Sequence, residues 1–210
     1  MKRSPSPIIF DLDGTLLDTA PDLASALNSL LREEGFTPLS ISTVRSMVGQ
    51  GAVAMIRKGL AESGAQPPSP DDLEIDLRNR FLRHYENCCL ESTKPFPAVV
   101  DTLRELRDIG HPMAVCTNKP YHMSLTILQG LGLSQYFLGI IGGDTLPTSK
   151  PNPEPVYAAI ALTNGTKSSA IMVGDSITDV HAAQAAGIRV VAVSFGYTDI
   201  KPHDLGADTV

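Results

Sequence analysis

The chain has 210 residues, of which 42% are hydrophobic, and a formal net charge of −6 at pH 7. This length and apolar content are enough for one or two domains with buried cores. The negative charge and the lack of a basic run argue against a nucleic acid partner, and no apolar run approaches the roughly 20 residues that a membrane-spanning helix needs. The three cysteines lack metal-ligand spacing and indicate reduced thiols in a cytoplasmic protein.

The first predicted element is a short buried strand, Ile8–Asp11, which runs into the segment Asp11-Leu12-Asp13-Gly14-Thr15. Alternate residues of an extended segment point to the same side, so the carboxylates of Asp11 and Asp13 can face one site. Two neighbouring carboxylates repel each other unless they share a cation or a proton. A divalent metal ion explains the pair, with one carboxylate left to attack an electrophile. A turn with solvated carboxylates is the alternative.

A long segment without a strand-like run follows, and its patterns are helical. Pro21 stands at the first position of one predicted helix, and Ser69 caps the start of another. The apolar residues of the second helix recur every four positions on one face, at Leu73, Leu77, Phe81 and Tyr85. Because this segment is inserted directly after the first strand, we expect residues 19–92 to form a small helical cap domain over the active site. Residues 1–18 and 93–210 then form the core.

Two features of the predicted cap are candidates for contacting the substrate. Gly51, together with Gly49, can form a flexible loop that faces the core. Arg57 can bind a substrate carboxylate through two parallel hydrogen bonds. A solvated arginine is nevertheless the favoured interpretation of Arg57, since most arginines on helix surfaces are simply exposed.

Further strand-like runs alternate with helical patterns in the rest of the chain. The predicted strands are Met113–Thr117, Leu138–Gly142, Ala170–Asp175 and Arg189–Val193. The predicted helices between them are Tyr121–Leu131, Pro153–Leu162 and Ile177–Ala186, the last stopped by Gly187. This alternation indicates βαβ units. We therefore predict an α/β fold, a Rossmann-like doubly wound parallel sheet with the helical cap inserted into it.

Polar residues stand where these predicted strands stop or shortly after them. Besides Asp11 and Asp13 they are Thr117, Asn118, Lys150, Asp175 and Asp179. The carboxyl ends of parallel strands line one edge of the sheet, where ligands bind, so we expect these side chains to lie together. Each has an ordinary explanation when taken alone, because a threonine or an aspartate commonly caps a helix and a lysine is commonly solvated.

The ordered set resembles the four motifs of the haloacid dehalogenase superfamily of phosphatases. The matching segments are Asp11-Leu12-Asp13-Gly14-Thr15, Thr117-Asn118, Lys150-Pro151 and Gly174-Asp175 with Asp179. Within the superfamily, the stretch from Gly142 to Pro155 is most similar to phosphoglycolate phosphatases. The resemblance implies a Mg²⁺-dependent phosphatase that hydrolyses a small phosphate monoester, 2-phosphoglycolate, through an aspartyl-phosphate intermediate.

The resemblance also implies a role for each residue of the set. Asp11 is the expected nucleophile, and Asp13 is the expected general acid and base. Mg²⁺ is expected to bind Asp11, Asp175 and the backbone carbonyl of Asp13. Thr117 and Lys150 are expected to hold the phosphate oxygens, with Asn118 in the same substrate-binding site. Asp179 is expected to orient metal-bound water or Lys150.

The same motifs are compatible with other functions. A sugar phosphomutase of the β-phosphoglucomutase type would return the phosphoryl group to its product, and a pyrophosphatase or a sugar or nucleotide phosphatase would use the same chemistry on another leaving group. A non-catalytic phospho-ligand binding protein is a remote alternative, since it would be expected to have lost Asp11 or Asp13. We expect a small phosphorylated metabolite as the partner, and either a monomer or a homodimer.

Overall fold

The structure, a computed structural model, describes residues 5–65 and 76–210. The chain divides into two compact units, one formed by Met1–Leu17 with Pro95–Val210 and the other by Asp18–Lys94. The segment expected to be the cap, 19–92, falls within the second unit. Its placement over the active site stays a prediction. No helix among the described residues is long and apolar enough to cross a membrane.

A parallel five-stranded sheet forms the centre of the first unit. Its strands are β1 (Ile8–Phe10), β4 (Met113–Cys116), β5 (Ile140–Ile141), β6 (Ile171–Gly174) and β7 (Arg189–Ala192). The strand order is β5-β4-β1-β6-β7, with Ile8 paired to Met113 on one side and to Ile171 on the other. Two short strands, β2 (Leu17–Asp18) and β3 (Lys94–Pro95), make a separate two-stranded sheet. The predicted parallel α/β fold is confirmed.

The strands are shorter than the sequence predicts, and three of them end in the same way. The apolar run marks the part of the chain that is covered on both faces of the sheet. The polar residue that follows the run lies just beyond the strand end, although the backbone N–H groups of Asp11 and Thr117 still donate to the neighbouring strands. Thus β1 ends at Phe10 before Asp11, β4 at Cys116 before Thr117, and β6 at Gly174 before Asp175.

Helices form most of the second unit. They are α1 (Ala20–Glu33), α2 (Ile41–Arg45), α3 (Ala52–Glu62) and α4 (Arg78–Cys88). Pro21 lies in the first turn of α1, one residue after the helix begins at Ala20 rather than at the predicted first position. Phe81 and Tyr85 are buried on one face of α4 with their rings stacked 6.0 Å apart. The predicted helix start at Ser69 and the apolar position Leu73 lie outside the described residues.

Helices α5 (Val99–Asp108), α6 (Tyr121–Gly130), α7 (Glu154–Leu162) and α8 (Ile177–Ala186) flank the five-stranded sheet. The core between the sheet and helices α7 and α8 is packed from small and branched apolar residues, among them Ile9, Met172, Val156 and Ala183. Helix α8 ends at Gly187, whose φ of +67° is the left-handed conformation that glycine adopts most readily. This packing holds the ends of β1 and β6 and the start of α8 in fixed positions.

Candidate active site

The carboxyl edge of the sheet gathers the polar and charged residues that the sequence places at strand ends or shortly after them. Asp11 and Asp13 follow β1, Thr117 follows β4, Asp175 follows β6, Lys150 lies in the loop between β5 and α7, and Asp179 lies in the first turn of α8. All six side chains are buried. Because a buried charge needs a partner, the contacts of each group decide what it can do.

Lys150 joins two of the carboxylates. Its Nζ lies 2.7 Å from Oδ1 of Asp11 and 2.6 Å from Oδ1 of Asp179. Burial lowers the pKa of Lys150, but the two carboxylates outweigh that effect and raise it overall. Burial also raises the pKa of Asp11 to about 6, although Lys150 opposes the rise. The ammonium is therefore firmly charged, and Asp11 is a carboxylate whose charge is poorly solvated.

Asp175 is held by the two loops on either side of it. Thr15 donates its hydroxyl to Oδ1 at 3.2 Å, and the backbone N–H of Tyr197 donates to Oδ2 at 2.7 Å. Burial raises the pKa of Asp175 to about 8, and the charges of Asp179 and Asp11 add to the rise. The carboxylates of Asp11, Asp175 and Asp179 therefore repel one another, and the Lys150 ammonium offsets only part of their charge.

Glycines make the room that these carboxylates occupy. A Cβ on Gly14, whose φ is +86°, would overlap the carboxylate of Asp175, and so would a Cβ on Gly196. A Cβ on Gly174 would overlap the side chain of Asp179. The glycine after the two aspartates of the first motif is therefore required both by the turn and by the close approach of Asp175.

Asp179 also organises the start of α8. The backbone N–H of Ser176 donates to its Oδ2 at 3.1 Å, and the Ser176 hydroxyl donates to the same oxygen at 2.7 Å. Its other oxygen, Oδ1, faces Lys150. The capping role and the role toward Lys150, which are alternatives at the level of sequence, are performed by different oxygens of one side chain.

Asn118 contacts the backbone of Lys150 rather than facing an open site. Its Oδ1 accepts from the Lys150 N–H at 3.0 Å, and its Nδ2 donates to the Lys150 carbonyl at 3.0 Å. The neighbouring Thr117 accepts the Lys119 N–H on its hydroxyl oxygen at 3.2 Å. Substrate binding by Asn118 stays a prediction, and the geometry gives its amide the task of fixing the Lys150 loop.

Lys119 is the charged residue of this edge that the sequence reasoning missed. Its Nζ lies 2.9 and 3.0 Å from the two carboxylate oxygens of Asp13. Only the adjacency of β1 and β4 in the sheet brings the two side chains together. The signal in the sequence is slight, a lysine two residues after Thr117, because a lone lysine is most often solvated.

The site fits a divalent cation. Asp11, Asp175 and Asp179 each offer a carboxylate oxygen, and these oxygens lie within 4.8 Å of one another. Four carboxylates face two ammonium groups, those of Lys119 and Lys150, so the formal charges leave two negative charges over. Carboxylate oxygens are the ligands that hard divalent cations prefer. The expected ligation by the Asp13 carbonyl stays a prediction.

Gly51 and Arg57 lie in the second unit. Gly51 precedes α3 with a φ of +87°, a conformation that a residue with a side chain rarely adopts. Arg57 is exposed on α3. Their contact with substrate stays a prediction.

Comparison with known proteins adds an independent finding. The profile of the family described as Haloacid dehalogenase-like hydrolase matches residues 8–193. A phosphoglycolate phosphatase of Caulobacter vibrioides is 44% identical over 97% of this chain and 85% of its own length, and one of Agrobacterium fabrum is 40% identical over 99% and 89%. The crystal structure of a predicted phosphoglycolate phosphatase from Haemophilus somnus 129PT superposes with a TM-score of 0.89, at 30% identity, covering 98% of this chain and 92% of that one.

Proposed function

The chain belongs to the haloacid dehalogenase-like hydrolases and is a phosphatase of phosphoric monoesters, and from that premise we propose that it hydrolyses 2-phosphoglycolate to glycolate and phosphate. The substrate proposal is supported by the relatives from Caulobacter vibrioides and Agrobacterium fabrum, which are phosphoglycolate phosphatases and align along nearly the whole chain. The reaction is proposed to depend on Mg²⁺ and to pass through an aspartyl-phosphate on Asp11.

One observation carries the choice of Asp11 as nucleophile: Oδ1 of Asp11 is paired with the Lys150 ammonium at 2.7 Å inside a buried cluster of carboxylates. An anionic nucleophile can approach an anionic phosphate only where positive charge offsets both. Lys150 supplies such charge and is itself held by Asp179 and by the amide of Asn118.

The proposed chemistry has two steps. An oxygen of Asp11 forms a bond to phosphorus while the ester P–O bond breaks, and Asp13, which has to enter this step protonated, passes its proton to the departing oxygen. Asp13 then takes a proton from water as the water oxygen bonds to phosphorus, and the bond between phosphorus and Asp11 breaks. Throughout, Lys150 and the Thr117 hydroxyl face the phosphate oxygens, whose charge is spread in the transition state.

Asp11, Asp175 and the backbone carbonyl of Asp13 would hold the metal ion, with the Asp179 carboxylate, which lies within 4.8 Å of the first two, beside it. A bound divalent cation supplies charge neutralisation for the phosphoryl oxygens and for Asp11. Thr15 and the Tyr197 N–H keep Asp175 oriented for that purpose.

The unit Asp18–Lys94 is proposed to act as a cap that excludes water and contacts the leaving group. Gly51 and Arg57 are its candidate contacts. The proposed partner is a small phosphorylated metabolite. The described site offers two lysines and a carboxylate cluster that could hold one cation, rather than an extended basic surface.

Phosphate release tests the proposal. The purified chain is assayed on 2-phosphoglycolate, sugar phosphates, nucleotides and pyrophosphate with Mg²⁺ and with EDTA, beside Asp11→Asn and the control Asp101→Asn, which alters an exposed carboxylate on α5. We expect preferred turnover of 2-phosphoglycolate that EDTA and Asp11→Asn abolish and Asp101→Asn does not. Faster turnover of another compound of the panel would overturn the assignment of 2-phosphoglycolate as the substrate. Isomerisation of a sugar phosphate without phosphate release would favour a sugar phosphomutase.

A further inference from the structure

We propose that Lys119 is a positioning residue for Asp13, which it holds in the orientation needed for transfer of a proton to the leaving group. The inference rests on the proposed function and adds a residue to it. It gives the two lysines of the site different tasks, since Lys150 serves the nucleophile and Lys119 serves the proton donor.

The contact between the two side chains is close and shielded from water. Lys119 Nζ reaches both oxygens of Asp13, at 2.9 and 3.0 Å, and the Lys119 and Asp13 side chains are 3% and 11% exposed. An ammonium centred on both oxygens fixes the plane of a carboxylate more firmly than a contact to one oxygen. Desolvation offsets most of the attraction within a buried ion pair, so we expect this one to contribute more to the geometry of the site than to the stability of the fold.

The backbone of Lys119 is itself anchored. Its N–H donates to the Thr117 hydroxyl oxygen at 3.2 Å, and its carbonyl accepts the N–H of Gly143 at 2.9 Å. Gly143 has no side chain at the point where a Cβ would overlap the carbonyl of Asn118. The loop after β4 therefore packs directly on the loop after β5, and Lys119 reaches Asp13 from a rigid support.

Orientation matters for Asp13 because its oxygen must lie within hydrogen-bond distance of the ester oxygen as the P–O bond breaks. General acid catalysis contributes about 10²–10⁴-fold and is lost when the donor is misplaced. A glycolate leaving group needs that proton, since an alkoxide is a poor leaving group, whereas p-nitrophenolate leaves without one. Loss of Lys119 should therefore slow alkyl esters selectively.

The experiment compares kcat/KM for 2-phosphoglycolate and for p-nitrophenyl phosphate with Mg²⁺, because kcat/KM covers the steps through departure of the leaving group. The variants are Lys119→Met, Lys119→Arg, Asp13→Asn and the double variant Lys119→Met/Asp13→Asn. The control is Lys201→Met, which alters an exposed lysine. Thermal melting of each variant reports folding, and Lys119→Gln replaces Lys119→Met in every comparison if the latter does not melt cooperatively.

We expect Lys119→Met to lower kcat/KM for 2-phosphoglycolate by about 10²-fold and for p-nitrophenyl phosphate by less than about tenfold. Lys119→Arg should recover most of the loss, and the double variant should be no slower than Asp13→Asn, because Lys119 acts through Asp13. Equal losses on both esters, or losses that multiply in the double variant, would overturn the inference. A wild-type chain without metal-dependent turnover on any ester would instead contradict the proposed function.

Discussion

Lys150 and Asp11 are 139 residues apart in the chain, yet the Lys150 Nζ lies 2.7 Å from Oδ1 of Asp11 in the buried part of the site. The parallel sheet makes this contact, because β1 lies next to β4 and β4 next to β5, after which the Lys150 loop begins. The ammonium is also shared with Asp179 at the start of α8. One side chain therefore links three separate elements of the core and offsets two buried carboxylates.

Removal of this ammonium should be costly to the fold as well as to turnover. Lys150→Met leaves Asp11 and Asp179 buried without their shared cation, and breaking such a pair costs about 3–5 kcal/mol. We expect the free energy of unfolding in urea without metal to fall by that amount, and Mg²⁺ to restore part of it. The exposed-lysine variant Lys201→Met is the control, and equal stability of the two variants would contradict the account.

Gly14→Ala should weaken metal binding through Asp175. The new Cβ would overlap the Asp175 carboxylate, and displacing a ligand or its support typically costs about 10–100-fold in metal affinity. Gly132→Ala is the matched control, since Gly132 also has a positive φ, +68°, but a Cβ there meets nothing within 4 Å. Both variants should lose about 1–2 kcal/mol of stability from the strained backbone. Only Gly14→Ala should raise the Mg²⁺ concentration needed for half-maximal activity.

Asn118→Ala should act on the chemical step more than on substrate binding. The amide holds the Lys150 peptide through two hydrogen bonds of 3.0 Å, so its loss loosens the Lys150 loop and displaces the ammonium. We expect kcat to fall by about tenfold or more while KM changes by less than about threefold. A rise in KM at constant kcat would instead support direct substrate binding by Asn118.

The stability of the metal-free protein should fall as the pH rises from about 4 to about 8. In the folded chain, burial raises the pKa of Asp11 to about 6 and that of Asp175 to about 8, from an ordinary 3.8. A raised carboxyl pKa means that the folded state binds more protons than the unfolded state. Its contribution is fully present below pH 3.8 and is lost as the pH passes the folded values.

Thermal melting in EDTA between about pH 4 and about pH 8 checks the direction in which stability changes with pH. We expect the midpoint to fall as the pH rises, and Mg²⁺ to raise it most at pH 8, where the carboxylates are charged. Asp175→Asn should flatten the profile and Asp101→Asn should not. A midpoint that rises steadily with pH in EDTA would contradict the crowding of Asp11, Asp175 and Asp179.

The sequence predicts the sheet because a parallel strand covered on both faces must be apolar throughout, and the runs around Ile9, Val115 and Met172 meet that requirement. It also predicts which strand ends carry polar groups. The strand ends are harder to predict, since β1, β4 and β6 end one residue before the polar group that follows each run, and β7 ends one residue before the apolar Val193.

Contacts between strand ends cannot be predicted from the spacing of residues along the chain. Two contacts in the site are of this kind, one between Lys119 and Asp13 and one between Asn118 and Lys150. Lys119 was missed because nothing in its own segment marks it as buried, and only the pairing of β1 with β4 sets it against Asp13. The resemblance placed Asn118 in the substrate-binding site, which stays a prediction, whereas the hydrogen bonds of its amide to the Lys150 backbone are visible only in the structure. Both depend on long-range packing that a local pattern does not contain.

In the proposed reaction, Asp11 takes the phosphoryl group from the substrate. Acid quenching during turnover of 2-phosphoglycolate with Mg²⁺, followed by peptide mapping by mass spectrometry, tests it most directly, because an acyl phosphate survives brief exposure to acid. We expect one added phosphoryl group on the peptide that contains Asp11, formed within the first turnover and absent from Asp11→Asn. Full turnover with no phosphorylated protein at any quench time, or with the phosphoryl group on another residue, would contradict it.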